Sequence, residues 1–149
     1  MEPTYRVFII VNRPRHDVFE AVADPKELSS YFTTGGASAR LEQGQTVTWD
    51  FADFPGAFPV DVVEVVADEK IVFNWNVGEP GNEYEVQVEM NFTEVEPGRT
   101  KVEVAESGWR AADVGRQASY GNCMGWAQMV AALKMWTEHR INLRDGAYK

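Results

Sequence analysis

The 149-residue chain is 44% hydrophobic and 12% aromatic, enough apolar surface for one globular domain with a single core and too much for a disordered chain. Lys and Arg total 14 against 23 Asp and Glu, a formal charge of −9, which excludes phosphate backbones and anionic lipid surfaces as expected partners. The nearest basic cluster, Arg13, Arg15 and His16, adjoins Asp17 and reads as a solvated turn.

Tyr5 to Val11 is rich in β-branched and aromatic residues and reads as a strand, stopped by Asn12, Arg13 and Pro14. A short helix follows in RHDVFEAVADP, where Val18, Phe19 and Val22 form one apolar stripe before Asp24 and Pro25 interrupt it. Asp24 is placed to cap a second helix, with Pro25 at its first position and Glu27 at capping-box spacing. That helix is expected to run to the TTGG turn at residues 33–36.

From Gly36 to Ser107 the period changes to two, as in an antiparallel meander. In EYEVQVEMNFT, Tyr84, Val86, Val88, Met90 and Phe92 share one face while Glu83, Glu85, Gln87, Glu89 and Asn91 share the other. Ile71, Phe73, Trp75 and Val77 alternate in the same way, as do Val47, Trp49 and Phe51. Turns at ADEK, GEPGN and EPGR separate the strands, six or seven in all. From about Asp113 to Leu143 an apolar stripe runs through Ser119, Asn122, Trp126, Met129, Val130, Leu133, Trp136, Thr137 and Arg140. From Ser119 to Asn142 alone such a helix extends about 36 Å, long enough to cross the sheet and cover its apolar face.

The apolar run from Val7 to Val11 is short and lacks the basic leader and cleavage site of a secretory signal, and no segment is suited to membrane insertion. A single cysteine, Cys123, excludes an internal disulfide, so the cytoplasm is the expected location.

The segment VFEAVADPKELSSYF resembles the helix, Asp-Pro, helix, two-aromatics stretch of the prokaryotic branch of the family related to the activator of heat-shock protein 90 ATPase. FPVDVVEVVADEKIVFNWNV is similar to that family's central hairpin, and RTKVEVAESGW with GWAQMVAALKMWTEH to its last strand and Gly-Trp-started terminal helix. The resemblance covers almost the whole chain, residues 1–149, as one domain. It implies the α+β helix-grip fold of the START and birch-pollen-allergen-like superfamily, also called SRPBCC: a curved antiparallel sheet wrapped on a long C-terminal helix, with two short helices after the first strand. Members of the superfamily bind lipids, sterols and polyketides or act as cyclases, so the family implies a scaffold more than an activity.

The resemblance also implies a cavity between sheet and helix, and the residues supply candidate walls: Trp49, Phe51, Trp75 and Tyr84 on the sheet, Trp126 and Met129 on the helix. The same rings also suit an ordinary core. The loop FADFPGAFP presents Phe51, Phe54 and Phe58, which fit a cavity lip, a homodimer contact or a loop folded on its own core. Glu106 shares a strand face with Val102 and Val104, where its carboxylate either enters the cavity with a raised pKa or pairs with a cation such as Arg110. Asn122 is a second inward polar group. His16 and His139 stand apart with no ligand spacing around them, and Cys123 has no identifiable base, so neither a metal nor a nucleophilic site is expected.

These residues lead to one expected function, binding of a small hydrophobic molecule of lipid or polyketide type, with no cofactor and no assigned catalytic residue. A chaperone-associated regulator is a second reading, carried by the family resemblance, although the extra N-terminal domain of the eukaryotic activators has no counterpart here. A cyclase- or hydrolase-like enzyme using Glu106 with Asn122 or Tyr120 is a third. Within SYGNCMGWAQM, Gly121 and Gly125 each cost a helix about 1 kcal/mol relative to Ala. Their i, i+4 spacing leaves a bare ridge, expected either to admit a neighbouring strand or to leave room for a ligand.

Overall fold

The computed structural model describes residues 2–149. Strand β1 (Tyr5–Val11) leads into helices α1 (Arg15–Ala23) and α2 (Pro25–Leu28). Then come β2 (Gly36–Ala37), β3 (Thr46–Asp50), β4 (Phe58–Val66), β5 (Lys70–Val77), β6 (Tyr84–Glu96) and β7 (Arg99–Ser107), followed by helix α3 (Asp113–His139). All seven strands form one antiparallel sheet in the order β1-β7-β6-β5-β4-β3-β2, packed on α3 in the helix-grip arrangement.

Alternation decides which side chains enter the core. On β6, Val86, Val88, Met90 and Phe92 are buried, and on β7 Glu106, Val104 and Val102 are the cross-strand neighbours of the last three. The first strand closes the sheet against the last, with Tyr5 opposite Glu106 and Val11 opposite Thr100. This pairing, made across nearly the whole chain, puts the Tyr5 and Glu106 side chains on one face. A bulge between Val62 and Glu64 shifts the phase of β4, so Val63 turns outward while Val65 packs on the core.

Helix α1 sets Phe19 edge-on against Phe92 of β6, ring centroids 5.3 Å apart. Asp24 caps α2 as the sequence predicts, accepting from the Lys26 backbone N–H at 2.9 Å. The second half of the capping box does not form. Glu27 instead accepts from Trp136 Nε1 and Arg140 Nη1, both at 2.7 Å, tying α2 to the far end of α3. Helix α2 also ends earlier than predicted, and turns rather than helix carry residues 29–35.

The 27 residues of α3 extend about 40 Å at 1.5 Å per residue. Its buried stripe, Ser119, Trp126, Met129, Val130, Ala132 and Leu133, follows the predicted phase. The helix stops before Leu143 because Arg140 adopts the left-handed conformation (φ 56°) with its N–H bonded to the Trp136 carbonyl. The chain reverses there, and Arg144 comes back to lie against Phe32 and Phe51. No helix is long and apolar enough to cross a membrane among the described residues.

Candidate functional site

The space between the middle of the sheet and α3 is filled. Trp49, Phe73, Met90, Trp126, Met129 and Leu133 are all buried there, with Trp49 edge-on to Phe73 at 5.2 Å and Phe73 tilted against Trp126 at 6.2 Å. Trp49 and Met129, expected to wall a cavity, are therefore core residues. On one side the N-terminal half of α3, Trp75 of β5 and the loop at residues 51–57 leave a cleft of about 210 Å³.

Five of the expected site residues line this cleft: Phe51, Phe54, Trp75, Asn122 and Trp126. Trp126 is tilted against Trp75 at 5.4 Å and against Phe32 at 5.7 Å, forming the aromatic floor. Phe51 packs edge-on to Phe32 at 5.0 Å and is stacked on Phe58 at 5.8 Å, so these two loop rings fold onto the domain's own core. Phe54 alone stays out, 53% exposed, as the lip. Tyr84 lies elsewhere, edge-on to the buried Trp109 with the Arg110 guanidinium 4.2 Å above its ring.

The bare ridge of α3 faces the cleft. A Cβ built on Gly121 or Gly125 meets nothing within 4 Å, so neither glycine admits a strand. The close approach occurs at Gly115, where a Cβ would sit 2.2 Å from the Arg110 carbonyl oxygen. Gly121→Ala and Gly125→Ala are each expected to raise the unfolding free energy by about 1 kcal/mol. Urea melts read this directly, and a loss of stability at either position would mean that the ridge is already in contact with its neighbours.

Behind the cleft lies Glu106, only 1% exposed. It accepts from the Tyr5 hydroxyl on β1, from Trp75 Nε1 on β5 at 2.7 Å and from Asn122 Nδ2 on α3 at 3.2 Å. Arg110, the cation considered for it, donates to Asn82 Oδ1 at 3.0 Å instead. Burial pushes the Glu106 carboxyl above its ordinary 4.5, while the donors from Tyr5, Trp75 and Asn122 favour the ionised form and offset part of that shift. The Tyr5 hydroxyl is raised too, by burial first and by the neighbouring Glu106 charge second. Glu106 does not line the cleft. It holds two side chains that do, Trp75 and Asn122, in fixed orientations.

Tyr5, Phe32, Gln128 and Arg144 complete the arrangement, and none was expected at the site. Period two along β1 puts Tyr5 in phase with the buried Val11, a signal that was available in the sequence. Arg144 follows the helix in a stretch with no periodicity, so only the chain reversal at Arg140 brings it to the cleft. Ser119, though buried, bonds its own helix at the Arg116 carbonyl (2.7 Å) and contributes nothing to the cleft. Among the described residues no three His, Cys, Asp or Glu side chains converge as a metal site.

A sequence model of the family described as Activator of Hsp90 ATPase homolog 1-like protein matches residues 12–138. The fold is similar to that of protein SSP2350 from Staphylococcus saprophyticus, with a TM-score of 0.79 and 27% identity over 95% of this chain and 96% of that one. It is similar also to protein MLL2253 from Mesorhizobium loti, with a TM-score of 0.78 and 22% identity over 95% and 100% of the two chains. DynU16, a putative protein in the dynemicin biosynthetic locus, matches at a TM-score of 0.76 and 26% identity, over 95% of this chain but 49% of its own. No curated protein sequence matches.

Proposed function

From the premise that this chain belongs to the family of Activator of Hsp90 ATPase homolog 1-like proteins, we propose that it binds a small, largely apolar molecule in the cleft beside Trp75 and Trp126. The observation that carries this reading is the open ridge of Gly121 and Gly125 facing an aromatic wall, two glycines kept in a helix interior where no protein atom uses the space. At about 210 Å³ the cleft is smaller than the ~300 Å³ at which ordinary ligand pockets begin, so the ligand is one or two rings rather than a long lipid chain. Asn122 supplies the polar point of recognition: its Nδ2 is held by Glu106, which leaves Oδ1 as the acceptor for a ligand hydroxyl or amine. The similarity to DynU16, from a biosynthetic locus, supports a small-molecule role.

We assign no reaction. Glu106 accepts from three donors behind the cleft wall, an arrangement that supports an anchoring role for its carboxylate. A cytoplasmic location fits the lone Cys123. The chaperone-regulating alternative rests on the family description alone.

Native mass spectrometry of the protein from its own host is expected to show an added small-molecule mass that Gly125→Phe, whose ring occupies the cleft, abolishes. Gly125→Phe keeping the same added mass would place any ligand elsewhere. If the wild type is empty and 2-acetylnaphthalene does not quench its tryptophan fluorescence, the reading fails.

A further inference from the structure

The mouth of the cleft holds a half-used cation. Arg144 lines it, its side chain only 12% exposed, and its guanidinium lies 4.8 Å from the Phe51 ring centroid and 5.4 Å from that of Tyr148. Asp53 on the facing loop is its ion-pair partner, itself 14% exposed. The pairing is one-sided. Asp53 Oδ1 takes both hydrogen bonds, from Arg144 Nε at 3.3 Å and Nη2 at 3.1 Å. Oδ2 lies 3.1 Å from Nε yet is buried with no hydrogen bond. On the other edge of the guanidinium, Nη1 donates to no acceptor among the described residues.

We propose that the cleft takes a small apolar carboxylate, bound end-on through its two oxygens to the Nη1–Nη2 edge of Arg144 while its apolar body lies on Trp75 and Trp126. This names the ligand class for the cleft and rests on the cleft being a ligand site. A guanidinium presents two edges, and Asp53 occupies only the Nε–Nη2 one, so the second carboxylate adds to the first without displacing it. Charge matters here for a specific reason. A chain of net charge −9 repels an anion at long range, whereas salt at ~0.15 M screens that field beyond about 8 Å and leaves the largely buried Arg144, with Asp53 on its far edge, as the local charges that the ligand meets. The aromatic lining of Phe32, Phe51, Phe54, Trp75 and Trp126 lowers the local dielectric, so an anion there gains more from the cation than it would in water.

The test compares 2-naphthoate with its methyl ester, which has the same ring and no charge, by tryptophan quenching or calorimetry at ~0.15 M salt. The wild type is expected to bind the acid at least tenfold more tightly than the ester. Arg144→Met, which keeps an unbranched stem over Phe51, is expected to bring the two to equality by weakening the acid alone. Asp53→Asn covers the case in which Arg144→Met does not fold: removing the competing charge while keeping the cation is expected to tighten the acid several-fold and leave the ester unchanged. Equal binding of acid and ester by the wild type, or a ratio that neither variant moves, overturns the carboxylate assignment and leaves the cleft as a site for neutral ligands. Binding of neither probe overturns the cleft reading and the carboxylate with it.

Discussion

Replacing Glu106 by Ala is expected to lower the unfolding free energy by about 3–5 kcal/mol, among the largest effects of any substitution in the chain. The carboxylate is the common acceptor of Tyr5, Trp75 and Asn122, and its loss leaves three part-buried donors without their acceptor. Each buried donor left unpaired costs about 1–3 kcal/mol, and a water entering the vacated volume recovers part of the total. Urea denaturation measures the change. A loss below about 1 kcal/mol would show that the three donors find other partners.

The pH dependence separates the charge of Glu106 from its shape. Its folded pKa is raised above the ordinary 4.5, so the folded state holds the proton more tightly than the unfolded chain does. Stability from this group is therefore present below about 4.5 and is lost as pH rises through the raised folded value. Glu20 and Glu138 act in the opposite direction. Arg40 holds Glu20 below its usual range, and Lys134 with the Asn12 backbone does the same for Glu138, so the stability from both is present above 4.5 and lost as pH falls through their lowered folded values. The difference between wild type and Glu106→Gln isolates the one group: the wild type should lose stability relative to the variant on going from pH 4 to neutral pH. A difference independent of pH would contradict the raised pKa.

Trp126→Ala is the second large effect, about 3–5 kcal/mol. Trp126 is 2% exposed and joins core to cleft, touching Phe32, Phe73 and Trp75. Truncation opens the cleft inward, and the new volume is apolar and of the shape of the lost ring. Free indole is expected to refill it and raise the variant's thermal midpoint in proportion to the logarithm of its concentration, once above its dissociation constant. The same indole shift in the wild type would mean that the ring enters somewhere other than the space vacated.

Much of the fold is readable along the chain because it follows from local chemistry. The alternation of Tyr84, Val86, Val88, Met90 and Phe92 selects the inner face of β6, and the stripe from Ser119 to Leu133 selects that of α3. Asp24 before Pro25 starts α2 where expected. Local chemistry fails where a residue has two partners to choose from. Glu27 has capping-box spacing, but Trp136 and the charged Arg140, more than a hundred residues away, take its carboxylate in place of the backbone N–H it would have served.

The site was legible in the same partial way. Phase alone put Glu106 on the inner face beside Val102 and Val104, and aromatic content marked Phe51, Phe54, Trp75 and Trp126. The partners that make Glu106 a structural anchor come from 101, 31 and 16 residues away along the chain. No spacing rule links positions on different strands before their register is known.

What the sequence by itself determined is the order of the main elements and the inward faces of β3, β5, β6 and α3, and, through the family resemblance, the helix-grip fold. Periods of 2 and 3.6 and the caps are properties of short segments, complete within a few residues. Only the tertiary structure decided where the interior stays empty and which charge borders it. Whether the gap before Trp126 belongs to a strand or to open space depends on the summed volumes of side chains from α3, β5 and a loop at residues 51–57. Arg144 reaches that gap because Arg140 turns the chain back on itself, a change of direction that carries no period to read.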